Sequence, residues 1–163
     1  MIQMADKVAI VTGGGSGMGR ASSVLFAQEG AAVAVADLNE DGGQQTVAMI
    51  EQAGGRASFI RTDTGDESSI IQLVEQTAAT YGRVDAMVTA AGISYSNFME
   101  KDEATDPWLH PGEGLILNKS TERWQKVLDV NLTGVMICAR EAARQMIAEK
   151  HGGTIVNFAS IAG

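Results

Sequence analysis

The sequence predicts an α/β chain built on a doubly wound parallel sheet, with five strands in the residues given. Three observations lead there. Short runs of small and β-branched apolar residues recur along the chain, the mark of strands buried on both faces. Longer segments with apolar residues at helical spacing separate them. Glycine supplies 19 of the 163 residues and proline only two, a mix that suits repeated strand–turn–helix junctions better than an all-β chain or a Pro-rich linker. The length is enough for one domain with a sizeable core, and 45% hydrophobic residues argue against disorder.

The elements follow in order. "KVAIVT" (7–12) is the first strand, and "GMGRASSVLFAQEG" (17–30) a helix with Met18, Ala21, Val24, Leu25 and Ala27 at helical spacing and Gly30 as a stop. "AAVAVAD" (31–37) is the second strand, and residues 40–53 form a polar-faced helix closed by Gly54 and Gly55. "RASFIR" (56–61) is the third strand. The next helix, 66–82, takes Asp66 as its N-cap and carries Ile70, Leu73, Val74 and Ala78 on one face. "VDAMVTAAG" (84–92) and "TIVNFAS" (154–160) are the fourth and fifth strands, with a long helix, 121–150, between them. Asn131 and Gly134 in that helix read on bare physics as a kink or a packing contact. Residues 93–120 hold both prolines and several acids. They are long for a connection inside a compact domain and read as functional, mobile or both.

The first strand runs into "TGGGSGMGR" (12–20). Gly13 allows a tight turn off the strand, Gly17 lets a pyrophosphate approach the backbone, and Gly19 lets the helix pack close to the sheet. Gly15, Ser16 and Met18 complete the loop, and the helix N-terminus offers N–H groups to an anion. The alternative is a tight turn with no ligand. The second strand ends at Asp37, followed by Leu38, and Asp37 lies 18 residues past Gly19. An acid about 20 residues on accepts from the adenosine ribose hydroxyls, as in a Rossmann fold. It would repel a 2′-phosphate, and Ser16, Leu38 and Asn39 provide no cation to attract one. NAD is therefore expected as cofactor rather than NADP, unless Asp37 merely caps the next helix.

With these residues in view, the chain resembles the N-terminal part of a short-chain dehydrogenase/reductase. Thr12-Gly13-Gly14-Gly15-Ser16-Gly17-Met18-Gly19 matches that family's T-G-x-x-x-G-x-G. The resemblance implies that Asp63, with Thr64 beside it, binds the adenine amino group, although alone Asp63 reads as a turn or cap residue. "TAAG" (89–92) stands where the family has N-N-A-G. Ala90, Ala91 and Gly92 are implied to meet the cofactor through backbone, while Thr89 and Ala90 replace side chains that support the sheet. Asn131 matches the Asn of the catalytic tetrad, which holds a helix distortion and a water of the proton relay. Ser160 matches the tetrad serine that orients the substrate oxygen; on its own it is an ordinary strand-end hydroxyl.

The resemblance implies hydride transfer between NAD and a secondary alcohol or ketone. It also implies a Tyr-x-x-x-Lys pair roughly a dozen residues past Ser160, beyond Gly163, so the sequence is expected to be part of a longer chain with further C-terminal strands. Tyr81 and Tyr95 do not begin that motif. The family usually has a shorter connection where residues 93–120 stand, so the resemblance implies an insertion there, near the substrate entrance. The alternative is a truncated or non-catalytic dinucleotide-binding module.

Composition narrows the partners. A net charge of −8 with no basic face disfavours nucleic acid and anionic membrane surfaces. No apolar run reaches the ~18 residues of a membrane span, and the N-terminus lacks the basic and apolar regions of a signal peptide. A cytoplasmic protein is expected. Cys138, the one cysteine, reads as a reduced, packed thiol. His110 and His151 offer no metal-ligand spacing, so no metal is expected. The apolar surface of the long helix exceeds what one face needs, consistent with a homo-oligomer, a tetramer or dimer, or with packing against the rest of a longer chain.

Overall fold

The computed structural model describes residues 4–94 and 120–160. The expected insertion is thus outside the described residues over 95–119, and Tyr95 and His110 with it.

Five parallel strands form one sheet: β1 (Val8–Thr12), β2 (Ala32–Asp37), β3 (Arg56–Arg61), β4 (Ala86–Thr89) and β5 (Thr154–Asn157), in the order β3-β2-β1-β4-β5. The helices are α1 (Gly17–Gln28), α2 (Glu40–Gln52), α3 (Glu67–Tyr81), α4 (Thr121–Leu128) and α5 (Gly134–Glu149), the last two joined by a π-helical turn (Asp129–Thr133). The expected α/β fold with a doubly wound parallel sheet is what forms.

The two faces of the sheet divide by residue parity, as a period-two strand requires. Ile10, Ala34, Ala36 and Met87 turn to one side, where they pack with Ile70 and Leu73 of α3 and Ile137 and Met146 of α5. Val11, Val33, Val35 and Val88 turn to the other, against Ala27 of α1 and Val47 and Ile50 of α2. Cys138 sits in the first cluster, and burial pushes its thiol up to about 12. β5 forms one edge of the sheet, with Val156 and Phe158 exposed.

Some details differ from the sequence reading, and the break in the long helix bears out the kink it allowed at Asn131 and Gly134. α1 buries only part of the apolar set: Ala27 faces inward with Gly19 and Ser23, and Val24 packs against the same core, while Met18 and Leu25 are 61% and 53% exposed. Spacing at i, i+4, i+8 places three small residues on the sheet side, so the helix axis lies close to β1. β4 stops at Thr89, because the next amides turn to Thr12: Ala90 N–H donates to its carbonyl at 3.2 Å and Ala91 N–H to its hydroxyl at 3.3 Å. The long helix is interrupted at Asp129–Thr133, where Gly134 N–H reaches back five residues to Asp129 O. Space at Gly134 explains the interruption, since a Cβ there would stand 2.1 Å from Thr64 O. The extra residue lets the helix wrap around the loop after β3 instead of colliding with it.

Candidate functional site

The strand order reverses direction between β1 and β4, and parallel sheets bind ligands outside the carboxyl ends of the strands at such a point. A cleft of about 280 Å³ opens there. Its floor is the glycine loop, where Gly13 and Gly17 have φ of +67° and +49°, values that disfavour any residue with a Cβ. Ser16 is extended and makes no side-chain cap. The first helical bond runs from Arg20 N–H to Ser16 O at 2.9 Å, so the N–H groups of Gly17, Met18 and Gly19 have no partner within the helix. A Cβ built on Gly17 would meet nothing within 4 Å. The loop therefore presents unpaired donors, the positive end of a helix and open space in one place, which fits a phosphate group.

Asp37 stands at the end of β2. One carboxylate oxygen accepts from Gly15 N–H at 2.9 Å and the other from Asn39 N–H at 2.9 Å. It remains half-buried and lines the cleft, as does the exposed Leu38. Asp37 is thus more than an acid at the right distance. It fixes the back of the glycine loop while presenting negative charge to the cleft. The cap of α2 is Asn39, whose side chain accepts from Gly42 N–H at 3.0 Å, not Asp37.

The far wall comes from β3, β4 and the interrupted helix. Asp63 accepts from Gly65 N–H at 2.8 Å, which shapes the turn and leaves its carboxylate beside the cleft with Thr64. Ala90, Ala91 and Gly92 line the opposite side. The sheet beneath them is supported by a route the motif does not contain. Thr89, 2% exposed, donates its hydroxyl to Asn157 Oδ1 of β5 at 2.9 Å.

Asn131 pairs with the backbone of Ile93, donating to its carbonyl at 2.7 Å and accepting from its N–H at 2.9 Å. It sits within the π-helical turn, so the helix distortion and the exit of β4 are clasped together. Removing this pair by Asn131→Ala is expected to cost about 1 kcal/mol, the usual worth of partly exposed hydrogen bonds. A thermal melt lowered by a few degrees with faster amide exchange at Ile93 is the expected reading. An unchanged exchange rate would show that the clasp does not hold the β4 exit.

The expected cofactor residues all line the cleft except Gly15, which lies behind the loop against Asp37. Asn131 does not line the cleft and reaches it through the backbone of Ile93, and Ser160 follows β5 at the same end of the sheet without lining it. Thr62, Ile93 and Val130 line it without having been singled out. Each lies next to a residue the motifs did mark, which is the only signal the sequence carries for them. Among the described residues no cluster of His, Cys, Asp or Glu could hold a metal ion, and no helix is long and apolar enough to cross a membrane.

Comparison with known proteins gives a consistent answer. The family model described as short chain dehydrogenase matches residues 7–163. A 2,5-dichloro-2,5-cyclohexadiene-1,4-diol dehydrogenase of Sphingobium indicum is 38% identical over 100% of this chain and 58% of its own length. A cis-4-hydroxycyclohexanecarboxylate dehydrogenase of Sinomonas cyclohexanicum is also 38% identical, over 98% of this chain and 57% of its own. A crystal structure of a short-chain type dehydrogenase/reductase from Mycobacterium marinum superimposes with a TM-score of 0.84 at 30% identity, covering 99% of this chain and 59% of that one. The chain thus spans a little over half the length of these relatives.

Proposed function

Because the chain belongs to the short-chain dehydrogenase family, whose members use NAD(P), we propose that it binds NAD in the cleft at the ends of β1, β2 and β4, within an oxidoreductase that interconverts a secondary alcohol and a ketone. The observation that carries this reading is the convergence of the open N–H groups at Gly17 and Met18 with the Asp37 carboxylate on one cleft. The first suits a pyrophosphate and the second a ribose with free hydroxyls. When bound, NAD supplies the hydride acceptor of the reaction. This chain's residues hold and orient it: the loop amides take the phosphates, Asp37 the adenosine ribose, Asp63 the adenine, and the backbone of Ala90 to Gly92 the far side. Asn131 holds the β4 exit, and Ser160 is assigned to the substrate oxygen. The two relatives named for oxidising ring alcohols support a cyclic secondary alcohol as substrate.

The choice of NAD over NADP rests on charge. A 2′-phosphate at this ribose would face Asp37, and the Arg20 guanidinium is committed to the carbonyls of Gly15 and Gly42 and the Thr46 hydroxyl. NAD is expected to bind at least about tenfold more tightly than NADP, the size of one like-charge contact. Calorimetric titration with both nucleotides tests this, and equal or tighter binding of NADP would overturn it. Formation of NADH from a panel of ring alcohols then tests the reaction.

A further inference from the structure

The glycine loop has a back side as well as a front. All four backbone polar groups of Gly14 and Gly15 are satisfied there. Gly14 N–H donates to Ala36 O at 3.1 Å and Gly15 N–H to Asp37 at 2.9 Å. Gly14 O accepts from the Thr46 hydroxyl at 2.9 Å, and Gly15 O accepts from the Arg20 guanidinium. The two side chains are themselves joined, since Arg20 Nε donates to Thr46 Oγ1 at 3.0 Å. Arg20 also reaches Gly42 O at 3.3 Å, and Thr46 lies 3.1 Å from the same carbonyl, so the first turn of α2 is part of the assembly. Thr46 is fully buried, and neither it nor Arg20 lines the cleft.

We propose that Arg20 and Thr46 are positioning residues that hold the pyrophosphate loop in its binding shape. The proposal rests on the dinucleotide reading above. A loop with three successive glycines has no side chains of its own to fix its peptides, and a free carbonyl rotated into the cleft would face the phosphates with its negative end. Arg20 and Thr46 take the carbonyls of Gly15 and Gly14 toward α2. The donors of Gly17 and Met18 are then left facing the cleft. Arg20 is placed by the helix that receives the phosphates and Thr46 by the helix that follows the ribose-binding acid. The clamp therefore ties the phosphate end of the site to the adenosine end without touching either ligand group.

Two ligands separate this role from a general loss of structure: NAD, which carries the pyrophosphate, and adenosine, which does not. Arg20→Met and Thr46→Val are expected to weaken NAD about tenfold and adenosine less than about twofold, with Thr46→Ser, which keeps the hydroxyl, within about twofold of the unaltered protein. Hydrogen exchange at Gly15 to Gly19 is expected to quicken in the two weakened variants and not in Thr46→Ser. If Arg20→Met does not fold, Arg20→Lys serves, with an expected loss of about threefold because an ammonium cannot span the same acceptors. Equal loss for NAD and adenosine, NAD binding at the unaltered level, or failure of Thr46→Ser to rescue would each overturn the proposal. If the unaltered protein binds neither ligand, the dinucleotide reading fails and the proposal with it. That result differs plainly from variants that bind NAD as the unaltered protein does.

Discussion

Gly19→Ala is expected to destabilise the protein by about 3 kcal/mol, the upper part of the range for overpacking a close contact, and to abolish measurable NAD binding. The added Cβ would stand 2.1 Å from Gly13 O and 2.5 Å from its carbonyl carbon, a collision with backbone and not with a side chain that could swing away. Gly13 is itself closely flanked: a Cβ built on it would stand 2.7 Å from Ala91 N and 2.8 Å from Ala90 O, so a shift to that side presses on the exit of β4. Relief must come from lifting α1 off the sheet, which moves the unpaired N–H groups of Gly17 and Met18 from the place where they converge. Gly17→Ala is the informative control. Its Cβ meets nothing, and only the backbone φ of +49° is penalised. A cost of about 1 kcal/mol in stability is expected there, yet the methyl would project into the space assigned to the phosphates. Gly19→Ala should thus lower both the melting temperature and nucleotide affinity, and Gly17→Ala mainly the affinity. A Gly19→Ala protein that melts with the unaltered one would show that the loop has slack the structure does not display.

That contrast between two glycines also marks what the sequence can convey. T-G-x-x-x-G-x-G after an apolar run announces a turn, a phosphate loop and a helix, because each glycine answers a local demand. The sheet was equally legible: the alternation of Val33 and Val35 with Ala34 and Ala36 is written into β2 and decides which residues meet which helix pair. What was not legible are contacts between residues remote in the chain. Arg20 with Thr46 and Thr89 with Asn157 join positions that no spacing rule connects. The long helix 121–150 was readable as helical, with Asn131 and Gly134 marking a kink or a packing contact, but its apolar pattern gave neither the form of the break nor its cause. The five-residue π-helical turn depends on the collision Gly134 avoids with Thr64 O, a contact with a loop far earlier in the sequence. The apolar set noted in α1 misplaced part of the buried face for a related reason. Hydrophobicity favoured Met18 and Leu25, while close approach to the sheet required the small Gly19 and Ser23 beside Ala27.

At the opposite end of the sheet from the cleft, Asp85 is expected to carry the largest single side-chain contribution from a charged residue. It is buried between β1 and β4, where its carboxylate accepts from Val8 N–H at 2.9 Å, from Arg83 Nε at 2.7 Å and from Lys7 Nζ at 3.3 Å. Asp85→Ala leaves the buried Val8 N–H without an acceptor and two cations without a partner, at an expected cost of about 3 kcal/mol. Burial pushes the Asp85 carboxyl up, but the hydrogen bonds from Arg83, Val8 N–H and Lys7 outweigh it and hold the group below its ordinary value of 3.8. A carboxyl lowered on folding stabilises the native state above its unfolded value, and that stabilisation is lost as the pH falls through the lower folded value. Glu149 works in the same direction: burial raises its carboxyl, while Gln145, Val84 N–H and His151 together hold it below 4.5. The unaltered protein should therefore lose stability steeply below about pH 4, and Asp85→Asn should start lower at neutral pH and fall less steeply over the same interval. Denaturant titrations at a series of pH values measure both. Parallel acid profiles for the two proteins would mean that Asp85 is not held in its charged form by the fold. A distinct outcome, intact NAD affinity in Asp85→Asn above that interval, is expected as well, because the cluster ties β1 to β4 at their beginnings while the cleft is built at their ends.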